Sequence, residues 1–337
     1  MNEFANAKLK FLMPGWYAVV MGLAGLSLAW HRAQAVLGDG AAAASLAIGA
    51  LAAAVFAVLA VATLLRGWRH PQAWAEDRRH PVRHTFIAAL PIAVLLLASV
   101  GVALFGPHPL AAALWWVGSL AQWFVTVWVL ARWWRGAQAG GLQWAGVTPA
   151  LFIPIVGNVL APLAGVPLGH AEWSAAQFGV GLLFWPVVLT LIVVRIVVHG
   201  MWPERLLPTT FIVIAPPVVA GLALLQFGAP VQWGWACWGM GVFSLIWAAT
   251  LARRIAGIAF GLPHWGMSFP LAALAALTLR LAQPGQPMAW AGMALLALAS
   301  LLIAGLVLGT VRGLRDGSLL APEPAAPIVP ATSARPA

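Results

Sequence analysis

The segment TFIAALPIAVLLLASVGVALF, Thr85–Phe105, contains no charged residue. As a helix rising about 1.5 Å per residue it spans about 30 Å, the thickness of a bilayer's hydrocarbon core. Its apolar residues run on continuously instead of alternating, which reads as a membrane helix and not as a strand of a transmembrane barrel. Reading outward in both directions, comparable runs recur at 12–30, 44–65, 85–105, 111–131, 147–163, 175–195, 207–227, 233–252, 263–281 and 288–311. The expected fold is an all-α integral membrane protein of ten helices.

Composition agrees. Hydrophobic residues make up 62% of the chain and charged residues 8%, against about half and a quarter in soluble domains. The +10 formal charge would suggest nucleic acid in a soluble protein. Here the basic residues lie between apolar runs, where they set topology, and no nucleic-acid partner is expected. With the N-terminus inside, cytoplasmic segments collect sixteen of the eighteen Lys and Arg residues, and only Arg32 and Arg280 fall on the other side. Both termini are therefore expected in the cytoplasm. Residues 1–11 read as a cytoplasmic N-terminus, 12–316 as the transmembrane domain and 317–337 as a disordered Pro/Ala-rich tail. The first apolar run lacks the cleavage region of a signal peptide.

All eight acidic residues are assigned to loops or tails, and the histidines to span ends. Proton relays, ion-coupling carboxylates and haem-binding His pairs need such groups at mid-depth. No phosphate-binding loop is present, and the single Cys237 cannot build a metal cluster. The expectation is a non-enzyme with no metal and no cofactor.

Proline and small polar residues punctuate the odd-numbered runs. The first opens with Pro14-Gly15-Trp16-Tyr17 and the third with Pro81, Thr85, Phe86 and Pro91. The fifth has Thr148-Pro149, Phe152 and Pro154; the seventh has Pro208-Thr209-Thr210-Phe211 and Pro216; the ninth has Pro263 and Ser268-Phe269-Pro270. The leading prolines are 67, 68, 59 and 55 residues apart, one helical pair per interval, so the chain reads as five repeated hairpins with five-fold pseudo-symmetry. Proline frees a backbone carbonyl, and irregular backbone survives in a bilayer where it is buried in protein or lines a cavity. This places the odd helices around a central pore and the even ones outside. The cytoplasmic ends of the odd helices are their positive dipole ends, a mouth that concentrates anions; Arg83 reads either as its mouth residue or, like the other arginines, as a topology marker. Phe269 reads either as a packed core aromatic or as a block in a narrow passage.

The quoted first-run residues, His80-Pro81-Val82-Arg83, Thr148-Pro149-Ala150, Pro208-Thr209-Thr210 and Ser268-Phe269-Pro270 together resemble the tellurite-resistance/dicarboxylate transporter family, which includes TehA-type bacterial proteins and plant slow-type anion channels. The resemblance covers the whole membrane region. It departs from the family's Phe-Pro-x-Gly at Met13-Pro14-Gly15, where proline and glycine are adjacent. It implies ten helices in five hairpins, usually a homotrimer, in the bacterial inner membrane, with Phe269 matching the aromatic that occludes the pore. The implied function is an anion channel for small inorganic or organic anions; the alternative is a secondary carrier for C4-dicarboxylates, sulfite or tellurite-type oxyanions. Gly15, Tyr17, Thr85, Phe86, Pro91, Phe152, Pro154, Thr210, Phe211, Pro216, Ser268 and Pro270 are the pore-lining or kink candidates.

Overall fold

A computed structural model describes residues 8–136, 139–283 and 285–321. These residues are helical with turns and contain no strand. The principal helices are α1 (Tyr17–Leu37), α2 (Asp39–Arg69), α3 (Ala89–Phe105), α4 (Pro109–Leu130), α5 (Phe152–Val159, resuming as Ala161–Gly165), α6 (Ala171–His199), α7 (Ala215–Gln226), α8 (Val231–Ala249), α9 (Ser268–Leu281) and α10 (Pro287–Arg315). Seven segments, taken with their 3-10 extensions, are long and apolar enough to cross a membrane, where ten were expected. The other three differ for local reasons. α1 carries His31, Arg32 and Gln34 in its second half, α8 is rich in the weakly hydropathic Trp and Gly, and Pro149–Gly165 is short. The expected single run at 147–163 is interrupted at Leu160, because Pro162 opens the second piece and cannot donate a backbone hydrogen bond.

Every odd helix is entered through a 3-10 segment: Pro14–Trp16, Arg83–Ala88, Pro149–Leu151, Glu204–Ile214 and Leu262–Met267. The turn after each odd helix contains a glycine with positive φ, namely Gly38, Gly106, Gly169, Gly228 and Gly285. That conformation costs an L-residue its Cβ clearance, so the reversals are tight.

Each even helix packs on the odd helix before it, and the odd helices contact one another in the order α1, α3, α5, α7, α9 and back to α1. The close approach within each pair also repeats. Gly49, Gly118, Gly181, Gly241 and Gly292 of the even helices lie where a Cβ would collide with α1, α3, α5, α7 and α9 in turn. Small residues allow such approach where lipid supplies no hydrophobic drive between helices. Burial divides the two sets: 17–33% of the most apolar window is buried in α2, α4, α6 and α10, against 61–89% in the segments containing α3, α7 and α9.

Lys8 and Gly317 lie beside each other, so the described chain ends share one side. Of the tail expected from residue 317, Ser318–Leu320 form a 3-10 turn with Leu319 against Gly313; residues 322–337, like 1–7, lie outside the described residues.

Candidate functional site: an apolar chamber among the odd helices

The first turns of the odd helices enclose a cavity of about 50 Å³, room for one or two waters. All its lining residues come from the five odd helices and their lead-ins: Ala18 and Met21; Phe86, Ala89 and Ile92; Ile153, Val156 and Leu160; Thr209, Ile212 and Ala215; and Leu262, Pro263, Trp265, Gly266, Phe269 and Pro270. The walls carry no charged side chain.

Phe269 is 6% exposed and sits at the far edge of this chamber. Its seat is made by α1: a Cβ on Gly25 would come within 2.9 Å of the ring, and one on Gly22 would meet Ser268. The backbone just before the ring is held by Ser268 Oγ, which donates to Trp265 O at 2.7 Å, and Trp265 Nε1 donates to Thr310 of α10 at 2.9 Å. The aromatic thus stands on a hydrogen-bonded turn that packs where Gly22 lacks a side chain, and its ring packs where Gly25 lacks one.

Of the residues singled out from the sequence, Phe86, Phe269 and Pro270 border the chamber, and Gly15 packs against Phe86 and Leu262 at its rim. The others point elsewhere. Tyr17 donates to Thr63 of α2 at 3.0 Å and packs on Phe56. Thr85 Oγ1 donates to Val82 O. Pro154 turns its carbonyl to α4, where it accepts from Gln122 at 2.8 Å and Thr126 at 2.7 Å, and from Asn158 of its own helix at 3.0 Å. Ser268 faces Gly22. Phe152, Pro91, Thr210, Phe211 and Pro216 are buried among the helices, and Thr210 Oγ1 has no hydrogen-bond partner. Neighbours of several of these provide the walls instead: Ile153 and Val156 beside Phe152 and Pro154, Thr209 and Ile212 beside Thr210 and Phe211. The proline pattern falls on the helices that line the chamber, without fixing their rotation. Gly22 and Gly25 were not singled out; their i, i+3 spacing on α1 was the available signal.

Arg83 donates to Asp77 at 3.0 Å and leaves 26% of its side chain exposed. Asp77 is fully buried and also meets Arg66 at 2.7 Å, while Arg66 Nε donates to Lys10 O. This triad ties the N-terminal segment, the end of α2 and the entry to α3. Arg195 likewise donates to the carbonyls of Trp144 and of Val147, the latter at 3.0 Å. Arg66, Arg83 and Arg195, all assigned from the sequence to cytoplasmic segments, therefore also hold neighbouring segments together.

Residues 12–311 match the family described as SLAC1, voltage-dependent anion channel. The chain is similar to a tellurite resistance protein TehA homolog of Haemophilus influenzae, 26% identical over 80% of this chain and 81% of that one. It is similar to the S-type anion channel SLAH2 of Arabidopsis thaliana, 28% identical over 62% of this chain and 40% of the plant protein. It also resembles the uncharacterized transporter MJ0762 of Methanocaldococcus jannaschii, 21% identical over 80% and 84%. The chain thus spans most of its prokaryotic relatives and less than half of the plant channel.

Proposed function

The chain belongs to the SLAC1 voltage-dependent anion channel family, and from that membership we propose that it is an anion channel whose passage runs between the five odd helices and is closed by Phe269. The single observation carrying this reading is the chamber lined only by the odd helices and their lead-ins, with Phe269 at its edge. The order of helix contacts and the contrast in burial support ten crossings as five hairpins, with odd helices inside and even helices toward lipid. The assignment of sixteen of the eighteen Lys and Arg residues to cytoplasmic segments supports cytoplasmic termini. The odd helices then aim their positive ends at the cytoplasmic mouth. The exposed apolar surface of the even helices suits lipid and the contacts of a homotrimer.

The chamber offers no fixed charge to bind an ion. Selection for anions falls to the positive field at the mouth and to the cost of shedding water. The Phe269 ring blocks by bulk and by keeping the constriction dry, and opening requires it to swing off its Gly25 seat.

Planar-bilayer recording of the purified protein tests the reading. Phe269→Ala should raise anion conductance severalfold, with currents reversing at the anion equilibrium potential. Unchanged conductance in that variant removes the gate. Saturable, proton-coupled uptake of a dicarboxylate or sulfite, without current in either form, replaces the channel with a carrier.

A further inference from the structure

Arg32 and Arg280 are the two basic residues that topology does not account for, and the fold brings them to one place. They occupy the C-terminal parts of α1 and α9, remote in sequence and at the end of the molecule opposite Lys8 and Gly317. Both line a cavity of about 300 Å³, together with His31, Ser99 and Gln226. Like the chamber, this vestibule is bordered by residues of all five odd helices or of the turns that follow them. On each of α1, α3, α7 and α9 its wall begins seven residues beyond a chamber residue: Met21 and Leu28, Ile92 and Ser99, Ala215 and Leu222, Phe269 and Ala276. Seven residues are about 10 Å of helix rise, so along these helices the vestibule lies beyond the chamber and beyond the level of Phe269.

The vestibule's charge is unbalanced. No acidic side chain borders it. Among the described residues neither guanidinium has a hydrogen bond or an ion pair, and the two charges repel each other. Each arginine complements the negative end of its own helix, an effect of about 1 kcal/mol or less at an exposed position. That effect does not call for two guanidiniums to face one cavity, and neither of them caps a carbonyl. What would offset their repulsion is a mobile anion between them. A planar guanidinium matches paired oxygens through parallel N–H bonds, which a spherical halide cannot exploit, and the space exceeds what one bare ion needs.

We propose that Arg32 and Arg280 form an oxyanion-binding vestibule at the end of the passage opposite the chain termini. This rests on the channel reading for its role, as the place where an oxyanion such as a carboxylate or sulfite waits before or after crossing the Phe269 level. It rests on the cavity alone for binding.

The two are separable by experiment. The melting temperature of the detergent-purified protein is measured in sodium malate, sodium sulfite and sodium chloride at equal ionic strength. A ligand that binds only the folded state raises it in proportion to its affinity. The wild type is expected to be stabilised more by malate or sulfite than by chloride; which of the two is stronger identifies the oxyanion class. In Arg32→Gln/Arg280→Gln the apparent affinity for that anion should weaken at least about tenfold, the loss expected for a charge-assisted hydrogen-bond pair. Arg32→Lys/Arg280→Lys keeps the charge, so binding should persist while the preference over chloride shrinks. An oxyanion advantage over chloride that is equal in the wild type and both double variants overturns the site, and the Lys pair decides the matter if the Gln pair fails to fold. In bilayers, loss of the vestibule should reduce currents of oxyanions entering from that end more than currents from the other. Arginine-dependent binding without any current supports the site and removes the channel.

Discussion

Asp77 has lost all contact with water and holds two guanidinium groups, Arg66 at 2.7 Å and Arg83 at 3.0 Å. Burial holds its carboxyl above the ordinary carboxylate range, against the smaller downward pull of the two arginines. Because Arg66 is only 2% exposed, Asp77→Asn would strand a buried cation, and breaking such a pair costs about 3–5 kcal/mol. The expected result is a large drop in melting temperature, most of it recovered in Arg66→Met/Asp77→Leu, where neither charge remains. A small drop in Asp77→Asn would mean that the triad is wet. Three residues further on, His80 Nδ1 accepts the backbone N–H groups of Val82 and Arg83, both at 3.1 Å, which requires an unprotonated nitrogen. Burial first, and then the positive charges of Arg83 and Arg205, lower its pKa from 6.5 to about 4. Between those values the unfolded chain binds a proton that the folded chain refuses. His80 therefore makes stability rise with pH across that window, and its contribution is lost as pH falls from 6.5 toward 4. His80→Asn keeps an acceptor and cannot titrate. Its melting temperature should fall less steeply over pH 6.5–4 than that of the wild type, and parallel acid slopes would rule out His80 as a source of that sensitivity.

At the level of the helices, proline marked what is special about the odd segments, but not what form it takes. Pro14, Pro149 and Pro263 stand in the first turns of 3-10 lead-ins, Pro208 lies inside one, and Pro81 just precedes another. Proline is tolerated there because an N-terminal N–H has no helical acceptor. Sequence could not distinguish such an entry from a mid-helix kink, nor fix the rotation that puts Thr209 on the chamber wall and leaves Thr210 off it. Glycine was harder still to read, since glycine is common throughout membrane helices and a packing glycine looks like any other. Gly118 and Gly239 illustrate this, one on α4 and the other on α8. A Cβ at Gly118 would sit 3.0 Å from the Leu95 backbone nitrogen and 3.2 Å from Pro91 O, whereas one at Gly239 meets nothing within 4 Å. Backbone in a packed helix cannot step aside. Gly118→Ala should lower the melting temperature and the yield of monodisperse protein, while Gly239→Ala should be neutral or slightly stabilising through helix propensity. Equal effects would mean that α3 and α4 do not pack through Gly118.

For the molecule as a whole, under the proposed channel function the apolar chamber and the charged ends make opposite demands on a passing ion, and that opposition sets the order in which anions should pass. The membrane class, the all-helical fold and the family were legible from hydropathy, basic-residue placement and five short motifs. The Gly25 surface behind Phe269 and the shared cavity of Arg32 and Arg280 were not, because both arise from contacts between segments far apart in sequence. Positive ends attract anions of every kind, so they exclude cations without ranking anions. Ranking falls to the chamber, where Ile92, Val156, Ile212 and Phe269 offer nothing to replace lost water. An anion that holds its water weakly loses least on entry. In bi-ionic bilayer recordings with Phe269→Ala, where the ring no longer limits current, nitrate should be more permeant than chloride, and chloride more than fluoride. With sodium as the only cation and a tenfold salt gradient, the reversal potential should lie close to the chloride equilibrium value. A reversed order, with fluoride favoured, would require a cationic ligand inside the chamber, and Arg32 and Arg280 of the vestibule are about three helical turns beyond it. The order should therefore survive Arg32→Gln/Arg280→Gln even where absolute currents fall, which separates an apolar filter from a charged one.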